Sequence, residues 1–165
     1  MWTIIKFEKK KFELLKKQLR VKLGNDYRVY CPKLLMQKYK NNRLIKKELN
    51  LLGDYLFCFN KNFENKNFIN QLKYYNGVKY ILEGFSNSQK EINDFILKCK
   101  AVENNEGFIT QSFFETKVNK FYKFSSGPFT QRVFKIIEMQ KNKIKIFMGN
   151  LNTTIDKREY LFNPL

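Results

Sequence analysis

The stretch Leu51-Leu52-Gly53-Asp54-Tyr55-Leu56-Phe57-Cys58-Phe59 turns at a glycine and then runs aromatic and apolar for five residues. A short unbroken apolar run bounded by turn residues reads as a central strand of a sheet. On its N-terminal side, residues 34–39 and 44–49 flank Lys40-Asn41-Asn42-Arg43, a turn-like centre that predicts a basic β-hairpin. Before the hairpin, residues 27–31 predict a short strand that ends at Pro32. Residues 8–23 place Phe12, Leu15, Leu19 and Leu23 on one helical face, with Lys9, Lys10, Lys16, Lys17 and Arg20 around the rest. That is an amphipathic helix stopped by Gly24-Asn25. Trp2 to Phe7 is β-branched and aromatic and predicts the opening strand.

On the C-terminal side, Phe68, Ile69 and Leu72 recur at helical spacing within residues 63–75, and Gly77 closes that helix. Residues 78–82 read as a strand. Ser88 and Glu91 mark the start of a helix over 89–100 that turns Ile92, Phe95, Ile96 and Cys99 inward. This order predicts an α+β domain, an antiparallel sheet flanked by helices. Asn104-Asn105-Glu106-Gly107 looks like a boundary, and from Val118 the pattern becomes purely β, turning at Ser125-Ser126-Gly127-Pro128 and Gly149-Asn150. Close-set short strands without a helix predict a small β-barrel. The expected division is residues 1–103, a linker over 104–117, and a barrel over 118–165.

Among 165 residues, 32 Lys and Arg stand against 15 Asp and Glu, a formal charge of +17, and His is absent. The absence of His excludes His triads, His proton shuttles and His-ligated metals. Cys31, Cys58 and Cys99 are widely spaced with no CxxC, so no metal site and no disulfide framework is expected. No phosphate-binding loop or paired-carboxylate motif is present. An enzyme is therefore not expected, and neither is a cofactor. The N-terminus has only four or five apolar residues before its lysines, the reverse of a secretory leader, and no run is long enough to span a membrane. A cytoplasmic location follows as the expectation.

The positive charge suits a polyanionic partner. Basic residues are mostly Lys, which coding bias alone could enrich, so the distribution carries more than the total. Residues 1–60 hold 15 basic and five acidic side chains, residues 61–118 eight and seven, and residues 119–165 nine and three. Within residues 27–47 there are seven basic residues and no acid. A uniform bias does not produce that contrast.

The order of elements and several motifs resemble the bacterial NusG/RfaH family of transcription elongation factors, in which an NGN domain precedes a KOW domain with an SH3-like barrel. The Trp-led strand Trp2-Thr3-Ile4-Ile5-Lys6-Phe7, the Pro after the second strand at Cys31-Pro32, and the step Asn76-Gly77-Val78 all have counterparts there. The most specific piece is Leu51 to Cys58, which resembles the family's L-F-P-G-Y-L-F-V strand; Ser126-Gly127-Pro128-Phe129 resembles its G-P-F turn. Asp54, Glu8 and Gln131-Arg132-Val133 depart from the family pattern and point to a divergent, specialised paralogue.

The resemblance implies an elongation or antitermination factor that grips the clamp helices of the largest RNA polymerase subunit and suppresses pausing or modulates termination. Tyr55 and Phe57, with Phe7, would form the apolar contact. Asn67 and Asn70 fall where relatives touch the gate loop of the second-largest subunit. Lys9, Lys10, Lys16, Lys17 and Arg20 on the helix, and Lys38, Tyr39, Lys40, Arg43, Lys46 and Lys47 on the hairpin, would face the DNA or RNA of the elongation complex. Lysines there make phosphate contacts that strengthen binding without reading bases, and Tyr39 would stack on an unpaired base. The barrel would recruit a termination factor or a small-subunit ribosomal protein, and the factor would act as a monomer away from membranes. The alternative is a KOW-type RNA-binding or ribosome-associated protein.

Overall fold

A computed structural model describes residues 1–165. In chain order the regular elements are β1 (Trp2–Phe7), α1 (Phe12–Leu23), β2 (Arg28–Tyr30), β3 (Lys33–Lys40), β4 (Arg43–Asn50), β5 (Tyr55–Phe59), α2 (Lys66–Leu72), β6 (Val78–Ile81) and α3 (Gln89–Ala101). A second series of strands follows: β7 (Phe121–Phe124), β8 (Val133–Met139), β9 (Lys143–Met148), β10 (Leu151–Asp156) and β11 (Phe162–Pro164). The fold is α+β. No helix is long and apolar enough to cross a membrane.

Two compact units are present, one from residues 1–32 with 50–97 and the other from 33–49 with 98–165. In the first, the apolar run 55–59 does what its composition requires and lies inside an antiparallel sheet of order β2-β5-β1-β6. Trp2 pairs with Phe59, Ile4 with Phe57 and Lys6 with Tyr55, so these six residues share one face. The opposite face carries Ile5, Phe7, Leu56 and Cys58. There it meets Leu15, Leu19 and Leu23 of α1 and Ile69 and Leu72 of α2. Each large side chain fully buried there contributes about 1.5–3 kcal/mol relative to exposure. Burial also pushes the Cys58 thiol well up and raises the Tyr27 phenol to about 12.

The first face is covered by α3. Ile92 and Ile96 pack on Trp2 and Phe57. Gln89 brackets the start of β1, its Oε1 accepting from the Trp2 N–H (2.8 Å) and its Nε2 donating to the Trp2 carbonyl (2.7 Å). The indole Nε1 donates to Asn93 Oδ1 at 2.9 Å. A buried indole needs a partner for its one donor, and the helix supplies it.

The second unit holds a five-stranded antiparallel sheet of order β10-β9-β8-β7-β11. Alternate residues turn inward, and Tyr122, Phe124, Phe134, Ile136, Ile144, Ile146, Ile155 and Phe162 form its core. The hairpin β3–β4 reverses at Asn41 and Asn42, both at positive φ (51° and 59°). That is the two-residue type I′ turn, whose left-handed positions asparagine tolerates. The hairpin groups with the C-terminal strands rather than with the rest of residues 1–103. Gln37 N–H donates to the Ser125 carbonyl (2.6 Å), Gly127 N–H donates to Gln37 Oε1 (2.7 Å), and Ile109 N–H donates to the Lys33 carbonyl (2.7 Å). The segment 104–117 also folds: Thr110, Gln111 and Thr116 are buried, and Gln111 Oε1 accepts from the Phe162 N–H at 2.9 Å.

Candidate functional site

Period-two alternation puts Tyr55 and Phe57 on one sheet face, but α3 covers only part of it. Phe57 is 4% exposed, held by Ile92 and Ile96, with Phe95 at 5.7 Å between ring centroids. Phe7 is 1% exposed on the opposite face, stacked on Phe12 at 4.5 Å. Neither ring is available to a partner in this structure, which corrects their assignment as surface anchors. Alternation shows which residues share a face; it does not show which later helix packs on that face.

At the uncovered end of the same face, β1, β5 and β6 bring Lys6, Tyr55 and Tyr80 together. Lys6 pairs with Tyr55 on one side and Tyr80 on the other. The two phenol oxygens are 2.7 Å apart, and Lys6 Nζ lies 5.0 Å from one ring centroid and 5.5 Å from the other. The shared hydrogen bond drives the phenols in opposite directions, Tyr55 down and Tyr80 up. Hydrogen bonding to Tyr55 raises Lys6, so its ammonium is held more firmly. The cluster presents two aromatic edges and one cation to solvent, a combination suited to an amphipathic partner surface. Tyr80 and Lys6 were not singled out in the sequence; the register of β6 on β1, which brings them beside Tyr55, has no local sequence signal.

Asn67 and Asn70 are exposed on α2. The residue that caps this helix is Asn65, whose Oδ1 accepts from the Asn67 N–H at 2.9 Å.

The basic residues fall into separate groups. Lys9 and Lys10 are exposed in the turn before α1, and Lys17 and Arg20 are exposed on it. Lys16 is partly neutralised, with Nζ 2.8 Å from Glu13 and lying over the Phe12 ring at 4.6 Å. Lys17 also lines an open groove of about 430 Å³ with Val21, Lys22, Tyr74 and Tyr75. Val21 (80% exposed) and Tyr74 (88%) flank it, and the sequence reading did not mark either one.

On the hairpin, the type I′ turn sets Lys40 opposite Arg43, and alternation then puts Lys38, Lys40, Arg43, Ile45 and Lys47 on one face. All five are exposed and no acid shares that face. Tyr39, Leu44, Lys46 and Glu48 take the other face, where Lys33 Nζ pairs with Glu48 at 2.8 Å. The six hairpin residues expected as one set are thus divided four to two. Lys46 turns instead toward a recess that it lines with Leu35, Gln37 and Tyr160.

No protein-family model matches the chain, and no curated protein matches its sequence. Among solved structures, Thermotoga maritima NusG aligns over 96% of this chain and 94% of its own, at 17% identity and a TM-score of 0.35. A chain of the MjSpt4:Spt5 complex in conformation B aligns over 100% of this chain and 98% of its own, at 12% identity and a TM-score of 0.31. In conformation A the figures are 99% and 99%, 12% and 0.30.

Proposed function

We propose that this chain is a transcription elongation factor that works by binding alone, touching RNA polymerase through its N-terminal sheet and nucleic acid through its hairpin. The motifs shared with the NusG/RfaH family support the reading. The observation that carries it is the hairpin face of Lys38, Lys40, Arg43 and Lys47, exposed and free of acids. Four cations on one face of the two-stranded hairpin, on a scaffold fixed by a two-residue turn, match a row of backbone phosphates, while scarce Arg argues against base readout. With Phe57 and Phe7 buried, the polymerase contact falls to the Tyr55–Tyr80–Lys6 cluster, in which Tyr80 is exposed and Tyr55 and Lys6 are half-buried. A factor of this kind shifts the enzyme toward a closed clamp only by its higher affinity for that state.

The test is retention of RNA polymerase on the immobilised full chain at salt that strips nucleic acid, followed by binding to assembled elongation complexes across a salt series. Tyr55→Ala with Tyr80→Ala should release polymerase at high salt. Alanine at Lys38, Lys40, Arg43 and Lys47 should spare high-salt retention and flatten the salt dependence on the complex by roughly three to four units of log–log slope. Retention that is absent, or indifferent to Tyr55 and Tyr80, would sink the proposal.

A further inference from the structure

The open groove between α1 and the turn after α2 is not used by the contacts proposed above. One wall is the face of α1 that carries Lys17, Gln18, Val21 and Lys22; the other is Tyr74 and Tyr75. Helical geometry sets Val21 and Gln18 between the two lysines in angle, with Lys17 and Lys22 about 7.5 Å apart along the axis. The groove therefore has an apolar middle and a cation on either flank.

Its second wall is fixed by backbone. Val78 N–H donates to the Tyr75 carbonyl at 3.0 Å, and Glu8 N–H donates to the Gly77 carbonyl at 2.8 Å. Gly77, at φ +96°, sits so close to α1 that a Cβ would lie 3.1 Å from Lys11 Cβ and 3.3 Å from Leu15 Cβ. Tyr75 packs on the core beneath, while Val21 and Tyr74 stay far out in solvent. A fixed apolar groove of about 430 Å³ receives side chains without rearranging, which lowers the cost of binding.

Charge selects the occupant. No acid lines the groove. Glu8, Glu13 and Asp26 are the acids of residues 8–26, and they are taken by Lys11, Lys16 and Lys61 in turn. Lys17 and Lys22 have no ion-pair partner. An apolar centre with charges at the rim is the anatomy of a protein interface. A nucleic-acid strand needs aromatic faces for its bases, and the aliphatic Val21 in the middle offers none.

We infer that this groove docks an acidic amphipathic segment of a partner protein, with an apolar side chain seated on Val21 beside Tyr74 and Tyr75 and carboxylates on Lys17 and Lys22. The lysine spacing asks for acids two positions apart in an extended segment, or four to five apart in a helix. Lys17 thereby leaves the nucleic-acid set expected for α1. The groove shares no residue with the hairpin or the Tyr55 cluster, so the inference stands or falls separately from the contacts proposed there.

The experiment selects random 12-residue peptides displayed on phage against the immobilised full chain, with each round counter-selected on Val21→Glu/Tyr74→Ala. Both side chains are exposed, so that variant should keep the native circular dichroism spectrum and a cooperative urea transition. Surviving peptides should carry a leucine or aromatic anchor with two or more Asp or Glu beside it. In fluorescence anisotropy the most enriched peptide should bind Val21→Glu/Tyr74→Ala at least about tenfold more weakly. Lys17→Glu/Lys22→Glu should reject that peptide and accept its counterpart with Lys in place of the acids. An excess of a 12-base-pair DNA duplex should leave the peptide bound to a chain with alanine at Lys38, Lys40, Arg43 and Lys47. No enrichment over the counter-selection, enriched peptides without acids, indifference to the charge swap, or displacement by duplex from that hairpin variant would each overturn the inference.

Discussion

Gly127 stands at φ +81°, and a Cβ there would lie 2.7 Å from Tyr160 Cδ1 and 2.8 Å from Cε1. That ring cannot yield freely. It packs on Phe124 at 5.6 Å and Phe129 at 6.1 Å between centroids, while Phe124 is 1% exposed. Gly127→Ala therefore combines two costs. Forcing an L-residue into the left-handed region takes about 1–2 kcal/mol, and overpacking a filled site takes a further 1–3 kcal/mol. Gly149→Ala is the internal control, since Gly149 is also left-handed (φ +61°) but has nothing within 4 Å of the added carbon. Urea denaturation followed by circular dichroism should show Gly149→Ala losing only the backbone part. Gly127→Ala should lose about 2–5 kcal/mol, lowering its midpoint by roughly 1 M or more at ordinary slopes. Tyr160→Ala placed in the Gly127→Ala background should then cost less than in the wild type, because there the truncation also removes the collision. If Gly127→Ala and Gly149→Ala melt together, the ring is not held against the turn and the packing argument for this corner fails.

Two other predictions concern the N-terminal unit. Phe57→Ala should open a cavity beneath α3 and cost about 3–5 kcal/mol in chemical denaturation, whereas Tyr55→Phe, at the uncovered end of that face, should stay within about 0.5 kcal/mol; equal effects would refute the division of the face. For pH, the folded-state pKa of Tyr27 is raised from 10.0 to about 12 by burial. Its contribution is complete below pH 10 and is lost as pH rises toward 12, because the unfolded phenol ionises first. Unfolding midpoints should fall across that window, and Tyr27→Phe should shrink the fall.

Those predictions separate what was legible in the sequence from what was not. Local chemistry was legible. The β-branched and aromatic run from Trp2 to Phe7, the apolar run at 55–59, the Leu15-Leu19-Leu23 stripe and the Asn41-Asn42 reversal each state their own structure within a few residues, and each appears as read. The greatest divergence lies where one segment covers or turns away from another. Burial of Phe57 depends on Ile92 and Ile96, more than 30 positions later in the chain, and those residues announce only that their helix has an inward face. The helix then needs a reason to lie on β1 and β5 rather than elsewhere. That reason is polar and specific: Gln89 pairs with both backbone groups of Trp2, and Asn93 satisfies the indole. Neither residue carries a motif.

The lysine set shows the same limit from the other side. Its charge was legible as a run without acids, but the run says nothing of faces until the turn length is known. With one residue more in the loop, β4 would be shifted by one position against β3, and Lys46 rather than Arg43 and Lys47 would join Lys38 and Lys40. The two-residue turn makes the difference between four cations on one side and a set mixed with Glu48. Because the positive φ values of Asn41 and Asn42 hold that turn, the phosphate-binding geometry proposed for the hairpin rests on two uncharged residues that would never contact the phosphates.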